Sequence, residues 1–132
     1  MARVPNPLPI PTNCPHCGAL VFCVGNQTIY GRPFGDWPYA YQCARPSCGA
    51  YVGLHPFTNY PLGTLADEQT RRARSLAKDY FNPLWKNRVM TRTEAYAWLA
   101  TVMNLPPELC HFGLFNVDQC SAAVKHIMER TK

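Results

Sequence analysis

Four cysteines carry the chemistry that can be read directly from this chain: Cys14 and Cys17 in CPHCG, Cys43 and Cys48 in CARPSCG. A CxxC and a CxxxxC, held apart by the length of a hairpin and its loop, can present four thiolates to one tetrahedral Zn²⁺. Gly18 and Gly49 follow the two pairs. A residue without Cβ lets the backbone curl there, so that amides approach the coordinated sulfurs. Each pair reads as a metal knuckle. A closed four-thiolate site leaves no coordination position for a substrate and serves folding. His16 lies inside the first knuckle and could replace one sulfur, but the thiolate set is complete without it.

Seven cysteines is an odd number. The N-terminus lacks the apolar core of a signal peptide and no run approaches a membrane span, so a cytosolic protein with reduced thiols is expected. Reduced thiols favour metal over disulfide. Cys23, on a strand, and Cys120, on an apolar helix face, are expected to be buried small hydrophobes. Cys110 stands beside His111, but neighbours in sequence point apart, so a catalytic pair is not expected. His55 is expected to tie down loop backbone near Thr58 and Thr64, with a role as a base the alternative. The chain has no paired carboxylates, no phosphate-cradling glycine loop and no HExxH. No enzyme activity and no small-molecule substrate are expected.

The elements that must position the knuckles follow from pattern. With 132 residues and 47% hydrophobic content, the chain can bury one modest core, which excludes two independent large domains. Residues 1–12 form a Pro-rich arm, extended because alternate prolines fix φ and remove amide donors. Residues 13–55 read as a ribbon: a strand from Ala19 to Val24, a turn at Gly25-Asn26-Gln27, a return strand at Thr28-Ile29-Tyr30, then strands at Tyr39–Gln42 and Ala50–Leu54. Residues 56–132 read as a helical part forming one cooperative unit with the ribbon. Its first helix is expected to start at a Thr64/Asp67 capping box, run to about Phe81 and bury Ala73, Leu76, Ala77, Tyr80 and Phe81. Asn82-Pro83 opens a short turn with Leu84 and Trp85. Thr91 and Glu94 cap a second long helix whose stripe is Tyr96, Leu99, Ala100 and Met103, widened by Trp98 and Val102. A turn through Cys110 is stopped by Gly113, and Asn116 caps a last helix with Val117, Cys120, Val124, Ile127 and Met128 inward. The expected fold class is α+β: a small antiparallel zinc ribbon, rubredoxin-like, packed against three or four short α-helices.

The formal charge is +5, but four bound thiolates and one Zn²⁺ add about −2 and leave roughly +3. That permits nucleic-acid contact without requiring it. Phe22, Tyr30, Phe34, Trp37, Tyr39, Tyr41 and Tyr51 are interleaved with Arg32 and Arg45 on the ribbon, a pattern suited to base stacking, with about half of the rings expected in the core. Arg71, Arg74 and Lys78 form a basic helix stripe. Asp67 and Glu68 precede Arg71 and Arg72 by four residues, so ion pairs would absorb two of these charges. The expected partners are nucleic acid or a protein, with no membrane.

The stretches CPHCGA, YQCARPSCGAYVGLHP, PLGTLADEQTRRAR, FNPLW, RTEAYAWLA and CHFGLFNVDQC resemble the zinc-finger-containing proteins of bacteria and their phages grouped as DUF3268, from Cys14 to Ile127. The resemblance implies a zinc-finger fold and a bacterial host cell, and it implies no particular activity. Where the family often carries a His and an Asp, this chain has Lys78 and Asn82, so the resemblance implies no acid–base role there. The ribbon is also similar to the C-terminal zinc modules of bacterial topoisomerase I, through the CPxCG knuckle and the Pro46 spacer. Those modules bind single-stranded DNA by aromatic stacking, which implies the same for this ribbon. The alternative is a module that engages a host protein, and a metal-dependent or His55-based nuclease is the third reading.

Overall fold

The computed structural model describes residues 7–131, so the first six residues of the expected arm lie outside it. Two compact units divide the chain, Met1–Glu68 and Gln69–Lys132. Together they form a small α+β protein of zinc-ribbon type. No helix among the described residues is long and apolar enough to cross a membrane.

In the first unit, β1 (Val21–Gly25), β2 (Tyr39–Cys43) and β3 (Tyr51–Gly53) form one antiparallel sheet in the order β1-β2-β3. The expected return strand at residues 28–30 is instead a single helical turn, α1 (Gln27–Tyr30), and the partner of β1 is β2. Asn26 explains the difference. Its side-chain amide donates to the Phe34 carbonyl at 2.9 Å and accepts from the Phe34 amide at 3.0 Å, while its backbone amide donates to Pro38 at 2.8 Å. These bonds close the Gly31–Pro38 loop onto the end of β1. The Asn26 carbonyl then accepts from Tyr30 at 3.0 Å, and Gly31 ends the turn at φ +82. A left-handed residue stops a helix cheaply only when it is glycine, so local closure overrides the strand propensity of Thr-Ile-Tyr.

The segment after β3, expected to begin the helical part at residue 56, folds back on the sheet. Leu54 pairs with Pro61 and Tyr51 with Ala66 as isolated antiparallel bridges. The Trp37 indole donates to the Thr58 carbonyl at 2.9 Å, and the Tyr41 hydroxyl donates to the Asn59 carbonyl at 2.6 Å. Leu65 and Ala66 are buried and Ala66 is bridged to Tyr51, so no helix starts at the expected capping box, and the helix begins only at Glu68. The core here is small: Cys14, Tyr41, Cys43, Ala50, Leu54 and Leu65, with Val21, Trp37 and Val52 against it.

The second unit contains α2 (Glu68–Phe81), which starts at the boundary, then α3 (Pro83–Lys86), α4 (Arg92–Val102), two 3₁₀ turns (Pro107–Leu109 and Phe112–Leu114) and α5 (Val117–Arg130). Thr70, Ala77 and Phe81 form the buried face of α2, with Ala73 beside them. Leu76 and Tyr80, expected inward, are 55% and 41% exposed. Leu76 sits about 100° around the helix from Ala77, too far from the centre of the face. Gly113 lies inside the second 3₁₀ turn, where it was expected to stop the first. On α5, Cys120, Ala123 and Ile127 are buried, while Met128 is exposed. Of the three expected caps, those at Thr91 and Asn116 form, Thr91 with Glu94 and Asn116 with Gln119, each a reciprocal pair of side-chain to backbone bonds, whereas α2 does not start at Thr64.

The α4 cap supports a direct test. Thr91→Ala is expected to cost about 1 kcal/mol of stability by urea melting at neutral pH. Bonds from the Thr91 amide and hydroxyl hold the Glu94 carboxyl below its usual range. Its contribution is therefore present above the ordinary glutamate range and is lost as pH falls through that depressed value.

Candidate metal centre

The first knuckle is a tight turn between residue 12 and β1, and the second joins β2 to β3, so the sheet itself brings the two pairs to one end. Cys14 donates its amide to the Ala19 carbonyl at 2.8 Å and accepts from Gly18 at 2.9 Å. Cys43 donates to the Ala50 carbonyl at 2.9 Å, and Gly49 closes back on Arg45 at 3.4 Å. Gly18 and Gly49 take φ of +78 and +67, the conformation a Cβ would resist. The two turns share one design: the amides of His16 and Arg45 each point at the first sulfur of their own pair, at 3.4 Å.

All four ligand sulfurs lie within 4.8 Å of one another, with Cys17 to Cys43 at 3.4 Å and Cys14 to Cys48 at 3.7 Å. A tetrahedron of sulfurs at Zn–S distances near 2.3 Å has edges of about 3.8 Å, so the four fit one Zn²⁺. As free thiols they are unequal. The Ala19 amide draws the Cys17 thiol down to about 7, whereas desolvation pushes Cys48 up to about 12 and Cys43 upward. A divalent cation resolves this by displacing the protons and neutralising part of the thiolate charge. The donor set is closed and all-sulfur, which makes the ion structural. Cys14, Cys17, Cys43 and Cys48 hold one structural zinc ion.

His16 does not replace a sulfur. Its Nε2 meets the Leu65 carbonyl at 2.9 Å, and its Nδ1 lies 3.6 Å from the Asp67 carboxylate. The ring ties the first knuckle to the segment leading into α2. Nothing in the sequence pairs residues so far apart.

The other expected site residues are distributed unevenly. Arg32 and Arg45 are exposed, Phe34 is the most exposed large hydrophobic among the described residues at 67%, and Tyr39 is exposed beside a half-buried Trp37 whose ring is 4.9 Å away. Tyr41 is core. Arg71, Arg74 and Lys78 belong to the other unit. Arg74 donates to the Phe115 carbonyl at 2.8 Å, and neither Arg71 nor Arg72 is free. Lys78 is exposed. His55 does tie down its loop, but through its backbone: its amide donates to Tyr60 and its carbonyl accepts from Thr58. Cys23 is exposed rather than buried, because β1 is an edge strand and the core ends near Val21. Cys120 is buried as expected, and burial pushes the Cys110 thiol up, away from nucleophilic character. Sequence reading missed Phe57, whose ring lies 5.3 Å from Trp37 while its backbone takes φ +61.

No curated protein and no solved structure matches this chain. The profile of one family, DUF3268, described as a zinc-finger-containing domain, matches residues 10–130. That span takes in both cysteine pairs and all the helices. The chain belongs to the zinc-finger-containing domain family DUF3268.

Proposed function

We propose that this zinc-binding module is a non-catalytic nucleic-acid-binding protein of phage type, acting in the cytoplasm of a bacterial host and preferring single strands to duplex. One observation carries the reading. Phe22, Gln42 and Tyr51 are aligned across the three strands, so the pleat puts them on one face, opposite the core residues Tyr41 and Cys43. Tyr30 stacks edge-on against Tyr51 and Phe34, each at 6.0 Å, and extends that surface. Phe22, Tyr30 and Phe34 are all more than half exposed, and Arg32 lies between the last two. Exposed rings beside a cation fit unpaired bases, whose faces a duplex keeps stacked. The zinc holds this surface in shape and, being closed, offers no reaction centre.

A labelled 20-nucleotide single strand tests the reading in a gel shift. Phe22→Ala and Phe34→Ala are each expected to weaken binding about tenfold, the loss of roughly one stacked base. Absence of any shift at micromolar protein would end the proposal. A host-protein partner is the second reading, favoured by charge. Within residues 7–68, Arg32 and Arg45 face Asp36, Asp67 and Glu68, so the ribbon has few cations for phosphate and its rings would be interface anchors. Capture of a host protein that survives nuclease treatment, without a gel shift, would select it.

A further inference from the structure

We propose that the turn between α3 and α4 is a separate phosphate-binding contact for single-stranded nucleic acid, made by Lys86, Arg88 and Arg92 around the Trp85 ring. This inference rests on the nucleic-acid reading above and supplies what the ribbon lacks. Among the described residues the excess of cations lies in the helical unit, and this turn is where they gather without counter-charges.

Between Asn82 and Tyr96 there are three cations and one carboxylate, Glu94. That carboxylate accepts from the Thr91 amide at 3.0 Å as part of the α4 cap. Lys86, Arg88 and Arg92 are exposed, and none forms an ion pair among the described residues. Two of them nevertheless lie near the same ring. The Lys86 ammonium and the Arg92 guanidinium each lie 5.6 Å from the centroid of Trp85, and the guanidinium is also 5.4 Å from the Tyr96 ring. Like charges held near one ring repel, and a bound anion beside them relieves the repulsion.

The platform is built firmly. The Trp85 indole donates to the Asn82 side-chain oxygen at 3.2 Å, and the turn closes through Asn87 to Pro83 at 2.9 Å and Met90 to Leu84 at 3.1 Å. Arg88 sits at the bend with φ +59, a conformation that a glycine would adopt without strain. A strained backbone carrying an exposed cation is the kind of outlier found where a side chain is needed for binding. Half-buried aromatic rings flanked by Lys and Arg offer a base its stacking surface and the adjoining phosphates their counter-charge. The α2 stripe does not match this, because Arg74 is held by the Phe115 carbonyl.

The test uses zinc-loaded full chain and a labelled oligothymidine, with affinity followed from low to physiological salt. Each phosphate contact on a single strand contributes about −0.7 to the slope of log affinity against log salt. The triple variant Lys86→Gln/Arg88→Gln/Arg92→Gln is expected to flatten that slope by roughly 2 and to weaken binding about 100-fold near 0.1 M salt. Arg88→Gly alone removes one charge while relieving the positive φ, so it keeps the fold and should flatten the slope by about 0.7. Phe34→Ala, in the ribbon, should weaken binding and leave the slope unchanged. If both turn variants keep the full slope while Phe34→Ala still weakens binding, the turn proposal is overturned and the ribbon reading stands. If the unaltered protein does not bind oligothymidine at all, both fall. Binding of the turn to anionic phospholipid vesicles, with the oligonucleotide slope unaffected by the variants, would also overturn it.

Discussion

Cys48→Ser is expected to yield protein without stoichiometric zinc, in which the amide resonances of residues 13–66 collapse while those of 69–131 keep their dispersion. Structural zinc contributes about 10–16 kcal/mol of apparent binding energy in small metal-folded peptides. The ribbon has little to set against such a loss. Its strands hold five, five and three residues, and two of the six residues at its core are ligands themselves. Sheets this short need another source of stability. The helical unit has its own core, so its helical circular dichroism should persist. A variant with no zinc and an unchanged melting curve would contradict the assignment of the ion as the staple of the ribbon.

The same centre should be acid-sensitive. Burial holds the Cys43 and Cys48 thiols above their usual range, the latter at about 12. At least these two must release a proton for zinc to bind near neutral pH. Each displaced proton makes apparent affinity fall tenfold per pH unit, so zinc should weaken by at least about 100-fold per unit of acidification below pH 7. Competition with a colorimetric chelator across that range would measure it. A pH-independent affinity would show that the thiols are already ionised before the ion arrives.

Phe81→Ala is expected to destabilise the helical unit by about 3–5 kcal/mol in urea melts. The Phe81 ring is fully buried, 4.7 Å from Tyr96 and 5.1 Å from Phe112, and Phe112 lies 5.3 Å from Phe115. Removing it opens a cavity among rings that cannot collapse into the gap. Small domains have total stabilities of only about 5–15 kcal/mol, so the loss would take a large share of the unit's stability. Leu76→Ala on the same helix is the control: its side chain is more than half exposed, and the change should stay within about 0.5 kcal/mol. Equal losses from both substitutions would mean that the buried face of α2 is misassigned.

Much of the ribbon and of the helical frame was legible in the residues alone. The metal centre needed only cysteine spacing, because a tetrahedral ion demands four thiolates from two tight turns and leaves few alternatives. The Thr91/Glu94 box and the Asn116 cap were readable, since a cap is a bond between residues three apart, but the same pattern at Thr64 and Asp67 did not start α2, which begins at Glu68. Strands at Tyr39 and Tyr51 and helices after Thr91 and Asn116 follow from periodicity, which records which face each element buries. What stayed hidden depended on partners distant in the chain. The segment 28–30 looks like a strand by propensity, yet Asn26 closes a loop onto Phe34 and Pro38 and turns it helical. Ala66 stays outside the helix because Tyr51 pairs with it as an antiparallel bridge. The cores that include Phe112 and Phe115 come from a region with no helical period at all.

Local chemistry determined the zinc site, the caps and the broad order of the elements, since each depends on residues within a turn or on one ion's geometry. Tertiary structure decided which rings face solvent, that Arg74 is held by a carbonyl, and that Lys86 and Arg92 both lie near the Trp85 ring. Those outcomes depend on which surfaces burial removes from water, a property of the packed chain that no single stretch of sequence contains.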